Sequence, residues 1–256
     1  MANVTVSHDD ADRFATVTID RPDAGNAMSP AVIAELQELI EATAADESVR
    51  SIVVTGAGGT FSAGADIDVL AARADDPDAV VDYLDSFSEL YARMEGVSVP
   101  IIGRVNGPAY GGGYELAMAC DVRIASTEAE LCPAELRMGI VPPFERLAME
   151  LGEGLARELC FTGGVLEAEA VADAGLFSRV VAPERLDDAV RDIASRIAAR
   201  SPNAVAQTKR AMVRHRADEI ARGRAYRHAL DEQCVRHPDF AESVAAFREG
   251  REPDYE

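Results

Sequence analysis

Two short glycine-containing segments hold the residues of this chain that are best suited to chemistry. The first reads F-S-A-G-A-D at 61–66 and the second N-G-P-A-Y-G-G-G-Y-E at 106–115, each between an apolar strand-like run and a helix-like stretch. Glycines let the backbone approach a ligand, and the first N–H groups of a helix have no acceptor inside that helix. Two such turns side by side would direct two N–H donors at one oxygen, as in a site that holds a developing oxyanion. Together with the carboxylates of Glu115 and Glu135, the pattern indicates acid/base chemistry on a carbonyl compound.

Alternating strands and helices would position these turns. Alternating apolar and polar residues predict a hairpin near the start, and Ser29-Pro30 predicts the capped start of a helix. Strands are predicted at 4–8, 14–20, 51–55, 99–105 and 122–125 and around Leu131, with a long helix at 77–94. Beyond Pro183 only helices are predicted, at 185–199, 203–216, 219–236 and 240–248. This order indicates an α/β fold class that ends in an all-helical part.

Several further motifs follow one another at fixed spacing along nearly the whole chain. They are Arg21-Pro22 with Asn26-Ala27, Thr55-Gly56, the two glycine segments, Cys120-Asp121, Glu135 four residues ahead of G-I-V-P at 139–142, and A-V-A-D-A-G-L at 170–176. Their order resembles that of the crotonase superfamily, the enoyl-CoA hydratase/isomerase family. The resemblance implies a crotonase-like spiral of ββα repeats followed by a C-terminal all-helical part.

The same resemblance implies a division of the chain and a state of assembly. Residues 1–200 would form the α/β spiral core with an acyl-CoA site, and residues 201–256 a helical oligomerisation part. We therefore expect a homotrimer, or a hexamer made as a dimer of trimers.

The resemblance also assigns catalytic roles. The oxyanion hole falls on the backbone N–H groups of Ala65 and Gly112, and Gly112 would open the helix that carries Glu115, so that the helix dipole adds to its effect. Addition of water to an α,β-unsaturated thioester needs a base for the water and an acid for Cα. Glu115 is expected to activate the water and Glu135 to protonate Cα. If both are buried together, one of them should have a raised pKa.

Contacts with coenzyme A are implied mainly for backbone groups. Asn26 and Ala27 are expected on the pantetheine side, and the substrate-binding residues further include Ala63, Ala65, Asp66, Ile67, Gly111 and Phe247. No separate cofactor is expected, because coenzyme A is part of the substrate. Two positions depart from the family pattern: Asp68 and Gly250 stand where lysines near the phosphates are common. Arg248 or Arg251 would have to replace them.

One segment leaves the reaction open. Pro143-Phe144 stands where hydratases commonly have a glycine-rich stretch, and it is more similar to Δ3,Δ2-enoyl-CoA isomerases. Those isomerases typically keep the glutamate that matches Glu135 and lack the one that matches Glu115. Because water activation requires Glu115, we favour an enoyl-CoA hydratase in fatty-acid or related acyl-CoA degradation (β-oxidation), with the isomerase as the alternative. A catalytically silent acyl-CoA-binding or RNA-binding protein of this fold is the hypothesis from another class.

Charge and composition restrict the partners. The chain has 45 acidic and 25 basic residues, a net charge of −20, so that a nucleic-acid partner is disfavoured. Acidic residues spread along the whole chain favour a halophilic source, with an ordinary acidic cytosolic enzyme as the alternative. No apolar run long enough for a membrane span and no secretory signal occurs, so we expect a cytoplasmic protein with four free cysteines. We expect no metal site, because the cysteines have no metal-type spacing and His228, Cys234 and His237 fit a helix edge.

Overall fold

The computed structural model, which describes residues 2–255, contains a large six-stranded sheet. Its strands are β1 (Val4–Asp9), β2 (Phe14–Ile19), β3 (Ser51–Gly56), β4 (Ile101–Val105), β6 (Val122–Ser126) and β9 (Arg179–Val181). They are ordered β1-β2-β3-β4-β6-β9. β1 and β2 form the predicted antiparallel hairpin, and the remaining neighbours are parallel. A parallel sheet needs crossover connections, which place helices on its faces.

A second, smaller sheet lies beside the glycine turns. It consists of β5 (Ala109–Tyr110), β7 (Glu130–Cys132) and β8 (Leu166–Glu167). β5 pairs parallel with β7, and β7 pairs antiparallel with β8. An isolated bridge from Ser62 to Ala109 joins the first glycine segment to the second.

Helices cover the sheets and occupy the whole C-terminal part. They are α1 (Pro30–Ala45), α2 (Ile67–Ala72), α3 (Pro77–Gly96), α4 (Gly112–Ala119), α5 (Phe144–Leu151), α6 (Glu153–Thr162), α7 (Leu186–Ala198), α8 (Pro202–Val235) and α9 (Pro238–Glu249). Ser29 caps α1 by accepting the Val32 N–H, and Pro30 occupies the first turn, as predicted. From Pro183 to residue 255 the regular elements are helices alone, which confirms the predicted change of pattern.

The central strands bury both of their faces, because successive side chains point to opposite sides of a sheet. Ile52 and Val54 of β3 belong to the main hydrophobic core with α1, α3 and α4. Val53, between them, joins a second cluster that includes Leu186 and Val190 of α7. The alternation thus places α7 on one face of the sheet and the helices of the glycine turns on the other.

The prediction of two helices at 203–216 and 219–236 was wrong. The chain forms one continuous helix, α8, of 34 residues. No proline or glycine lies between 214 and 222, so nothing in that stretch interrupts helical hydrogen bonding. A polar stretch between two apolar patterns was therefore not a boundary.

The side chain of Lys209 anchors α8 to the core. It is 4% exposed, donates to the carbonyl oxygens of Met94 and Val99, and lies 2.8 Å from the carboxylate of Asp121. From this anchor α8 continues across α3 and α5. The division at residue 200 stays a prediction, and residues 1 and 256 lie outside the described residues. None of the helices within residues 2–255 combines the length and apolar character that crossing a bilayer requires.

Candidate active site

The two glycine turns pack against each other backbone to backbone. Gly64 and Gly111 have φ angles of 86° and 51°, in the left-handed region that favours glycine. A Cβ added to Gly64 would lie 2.5 Å from the oxygen of Tyr110 and 2.8 Å from the nitrogen of Gly112. Only a residue without a side chain permits this approach, so the glycines set the distance between the turns.

Two N–H groups at this junction have no protein acceptor. Within residues 2–255, neither the Ala65 N–H nor the Gly112 N–H donates a hydrogen bond. Gly112 is the first residue of α4, where the helix leaves its N–H groups free and the helix dipole is positive. The structure thus brings the two donors predicted for an oxyanion hole to the same place.

Tyrosines of α3 hold both turns in position. The Tyr83 hydroxyl accepts the Asp66 N–H at 2.8 Å and donates to the Met28 oxygen at 2.6 Å. The Tyr91 hydroxyl donates to the Gly112 oxygen at 2.6 Å. Because residues 83, 87 and 91 lie at four-residue spacing, they share one face of the helix. Tyr83 is therefore part of the support for the site.

Glu115 extends from the first turn of α4 into a buried, charged environment. The residue is 6% exposed. Its Oε2 lies 3.2 Å from a guanidinium nitrogen of Arg227, which comes from α8. The sequence did not predict this partner. Burial alone would favour the neutral acid, whereas the guanidinium favours the carboxylate.

Glu135 lies in the first turn of a short 3-10 helix, Ala134–Met138, beside the second glycine turn. A Cβ added to Gly111 would lie 3.7 Å from Glu135 Oε1. Both carboxyl oxygens are buried and have no hydrogen-bond partner among the described residues. Burial, followed by the charge of Glu115, raises the pKa of Glu135 to about 8. The expectation that one glutamate of the pair has a raised pKa thus agrees with the structure.

Both glutamates line one pocket, which α8 covers. The pocket has a volume of about 60 Å³, enough for several water molecules when one needs roughly 10–15 Å³. Gly112, Phe87 and Ile140 line it from the core side. On the α8 side, Asp231 accepts the Val141 N–H at 3.1 Å, and burial raises the pKa of Asp231 to about 6.

A further ion pair closes the rim of the pocket. His228 Nδ1 lies 2.8 Å from Asp85 Oδ1 on α3, and hydrogen bonding to Asp85 raises the pKa of the His228 imidazole. Sequence reasoning missed Arg227, Asp231 and His228 as site residues. Charged residues at 227 and 231 are ordinary on a long polar helix, and nothing local shows which face meets Glu115.

The predicted pantetheine-side residues form a hydrogen-bonded turn. Asn26 is fully buried with a φ of 56°, and its side-chain amide donates to the oxygens of Ala57 and Thr60. The oxygen of Ala27 accepts a hydrogen bond from Arg21 at 2.6 Å. Within residues 2–255, Asn26 therefore uses its side chain to hold the turn that precedes the first glycine segment. Its contact with a substrate stays a prediction.

Several of the other predicted substrate-binding residues lie at α2 or on α9, which packs on α2. Asp66 caps α2 and pairs with Arg21 at 2.9 Å, and Ile67 is the first residue of that helix. Phe247 of α9 is 59% exposed. Ala63 lies in the first glycine segment, where its N–H donates to the Gly25 oxygen. Their contacts with a substrate stay predictions.

Arg248 and Arg251 were considered as replacements for the lysines that are common near the phosphates of coenzyme A. Each of them has a carboxylate neighbour. Arg248 lies 3.8 Å from Asp68. Arg251 lies within hydrogen-bond distance of Glu242 and Glu249. A phosphate at either position would compete with these carboxylates.

The Pro143-Phe144 segment contacts α4, the helix that carries Glu115. Phe144 starts α5, and the buried Tyr114 hydroxyl donates to the Pro143 oxygen at 3.3 Å. The segment thus supports the helix that carries Glu115. It adds no charged group of its own.

Comparison with known proteins decides the family. The model of the enoyl-CoA hydratase/isomerase family matches residues 10–256. The chain belongs to the enoyl-CoA hydratase/isomerase family. The predicted family is therefore confirmed.

Curated relatives and solved structures of this family extend the match over almost the whole chain. The short-chain-enoyl-CoA hydratase of Clostridium acetobutylicum is 34% identical over 243 residues, which cover 93% of this chain and 92% of the relative. The crotonyl-CoA hydratase of Syntrophomonas wolfei is 32% identical, with 100% and 99% of the two chains covered. A crystal structure of an enoyl-CoA hydratase from Mycobacterium avium subsp. paratuberculosis superposes with a TM-score of 0.87 at 26% identity, covering 100% and 99% of the chains. The predicted crotonase fold class is confirmed.

Proposed function

We propose that this protein is an enoyl-CoA hydratase that adds water across the double bond of a trans-2-enoyl-CoA thioester. The family match and relatives named as hydratases bear out the sequence prediction of this activity and of an acyl-CoA thioester substrate. The roles of individual residues are part of the proposal and follow from the geometry of the pocket.

The glycine turns would activate the substrate. When water adds at Cβ, negative charge moves onto the thioester oxygen. The free N–H groups of Ala65 and Gly112 are the donors that would stabilise this charge, with the dipole of α4 behind Gly112. The rigid packing of the turns and the tyrosines of α3 fixes these donors before the substrate binds.

The two carboxyl groups would move the protons. Glu115, as the carboxylate, takes a proton from water while the water oxygen bonds to Cβ. Glu135, with its pKa raised to about 8, holds a proton near pH 7 and gives it to Cα as the enolate collapses. The reaction leaves a proton on Glu115 and a charge on Glu135, and solvent exchange restores the pair. In this proposal no cofactor is required beyond the coenzyme A of the substrate.

One observation carries the proposal. A single pocket contains two carboxyl groups, one beside a guanidinium and the other buried without a donor. Environments that favour opposite protonation states distinguish an acid from a base in the same site. The isomerase alternative requires only Glu135, and the Pro143-Phe144 segment favours it by likeness alone.

Substitution of Glu115 separates the two reactions. We expect Glu115→Ala to reduce hydration of crotonyl-CoA by about 10²–10⁴-fold, because no base would remain for the water. Isomerisation of a 3-enoyl-CoA should be much less affected, since one glutamate can carry a proton between Cα and Cγ. Product analysis of both substrates provides the measurement. A wild-type protein that isomerises 3-enoyl-CoA but adds no water to crotonyl-CoA would establish the isomerase instead.

We also propose that the protein assembles as a homotrimer or a hexamer. Large apolar side chains that are exposed in the single chain support this assembly: Phe161, Met212 and Tyr226 are 79%, 60% and 70% exposed. Light scattering combined with size-exclusion chromatography gives the mass. A stable, active monomer would contradict the proposal.

The acidic composition supports a proposal about the salt concentration in which the protein works. We propose that the protein works in a cytoplasm of high salt, in the degradation of fatty acids or related acyl-CoA thioesters. Screening of the net charge of −20 should raise the melting temperature as KCl increases from low to molar concentration. A melting temperature that stays constant or falls would refute the halophilic interpretation.

A further inference from the structure

Arg227 is the most buried of the basic residues that line the pocket, and the proposed hydration scheme gives it no role. Its side chain is 13% exposed, that of Glu115 is 8% exposed, and the two approach to 3.2 Å. Removing two charges from water is costly, so a buried pair is weak support for a purely stabilising role. The pair joins α8, from the C-terminal part, to the carboxylate proposed as the base.

The contact with Glu115 is direct, although other charges surround it. The charged or titratable groups near the pair are Glu145 and Arg146 from α5, Glu135 from the 3-10 helix, Asp231 from α8, and the neutral tyrosines Tyr91 from α3 and Tyr114 from α4. His228 of α8 faces Asp85 instead. Arg146 forms its own ion pair with Glu95 at 2.9 Å. Asp231 is occupied by the Val141 N–H. Arg227 is thus the guanidinium that contacts Glu115.

We propose that Arg227 is a positioning residue for hydration, an inference that rests on the proposed function. It holds Glu115 as a carboxylate directed into the pocket, and it thereby makes Glu115 the base and Glu135 the acid.

The physical reason lies in the sharing of a proton by two neighbouring carboxyl groups. Two buried carboxyl groups close to each other do not ionise together, so one proton is distributed between them. A guanidinium in contact with one of them fixes the charge there and leaves the proton on the other. Glu135 has no donor among the described residues, so it is the group that keeps the proton. Arg227 therefore orders the pair through its contact with Glu115.

The test compares neutral and charged replacements of Arg227 in the full-length enzyme. Arg227→Gln and Arg227→Met both remove the charge, and Met keeps much of the apolar stem. Arg227→Lys keeps the charge. Arg222→Gln is the matched control, since Arg222 is an exposed arginine of the same helix whose Nε donates to the backbone oxygen of Asp218. Thermal melts identify which variants fold.

We expect both neutral variants to lower kcat for crotonyl-CoA hydration at pH 7 by about tenfold to a hundredfold. KM should change by less than about threefold, because the proposal has Arg227 act through Glu115 rather than on the substrate. The acidic limb of the kcat/KM profile should move to higher pH by about one to three units, the usual effect of losing an adjacent guanidinium. The basic limb should also move upward, by less, since Arg227 lowers the pKa of Glu135 from a greater distance. Lys should restore part of the rate and most of the profile.

A double-mutant cycle with Glu115→Gln completes the test. If Arg227 acts through Glu115, then adding Arg227→Gln to Glu115→Gln should cause little further loss of rate. Losses that multiply, or a loss of rate in Arg227→Gln and Arg227→Met with an unchanged pH profile, would overturn the inference. Failure of the proposed function is a separate result, because wild type and Arg222→Gln would then show no hydration at all.

Discussion

The pocket has a glutamate on each of two sides, one on α4 and the other on the 3-10 helix, and their environments differ. On the first side Glu115 contacts the guanidinium of Arg227. On the second side Glu135 is buried without a hydrogen-bond donor among the described residues, and its pKa is raised to about 8. Both glutamates follow a glycine or proline turn and lie in the first turn of a short helix. Their local sequences therefore do not explain the difference.

The difference comes from what each side faces across the pocket. Glu115 of α4 contacts Arg227 of α8, which lies more than a hundred residues further along the chain, whereas the carboxyl group on the 3-10 helix has no hydrogen-bond donor among the described residues. Similar local structure thus gives two chemical roles because the distant neighbours differ.

Removal of the proton carrier should have the largest effect. We expect Glu135→Gln to lower the rate of crotonyl-CoA hydration by about 10²–10⁴-fold, because the amide has no proton to give to Cα. Glu128→Gln, an exposed glutamate nearby, is the matched control. Steady-state kinetics with melts of both variants measure the effect. Near-normal turnover in a folded Glu135→Gln enzyme would remove Glu135 from the mechanism.

The oxyanion hole stabilises the charge that builds up on the substrate oxygen, and its contribution to the rate can be tested without changing either glutamate. Gly112→Pro deletes one N–H donor, and loss of one such donor lowers kcat by about 10²–10³-fold in other enzymes. Any side chain at this position meets Phe87, because a Cβ would lie 2.6 Å from the Phe87 ring. Gly112→Ala, which adds the Cβ but keeps the N–H, is therefore the control, with both variants built on Phe87→Leu. Equal rates for Pro and Ala would show that the oxygen is held elsewhere.

The raised pKa of Glu135 predicts how activity and stability depend on pH. Above pH 8 Glu135 loses its proton, so kcat/KM should fall about tenfold per pH unit. Between its usual pKa near 4.5 and about 8 the folded chain binds this proton and the unfolded chain does not, so the group makes stability decrease as pH rises. Glu135→Gln should remove that contribution to the slope. Rate profiles and melts from pH 5 to 10 test this, and activity that is constant up to pH 10 contradicts it.

Loss of Lys209, which anchors α8 to the core, should have the smallest effect on the rate and a clear effect on the free energy of unfolding. Lys209→Met removes the donor to the carbonyl oxygens of Met94 and Val99 and the partner of the exposed Asp121, which should lower the free energy of unfolding by about 1–3 kcal/mol. Hydration should fall only severalfold, since Asp231 and His228 still hold α8 at the pocket. Arg210→Met, on the exposed neighbour of Lys209, is the control in denaturant melts. Equal stability of the two variants would show that the anchor is not needed.

Sequence motifs located the two turns because their geometry is local. A glycine at a positive φ and a free N–H at a helix start depend on residues that are adjacent in the chain. The helix at 77–94 and the strands around it were recognisable for the same reason, since hydrophobic spacing of 3.6 or 2 residues is a local property. The continuity of α8 was missed because a polar stretch interrupts the apolar pattern. That stretch contains no proline or glycine, so the helix continues through it.

The sequence by itself determined the fold class, the family and the two glutamates, since each of these depends on residue types at short and regular spacing. Only the tertiary structure decided which glutamate meets a cation and which is left without a donor. The contact of Arg227 with Glu115 depends on how α8 lies over α3, and that position is fixed by groups as distant in sequence as Lys209 and Asp121. Electrostatic interactions act through space, and the order of residues does not record them.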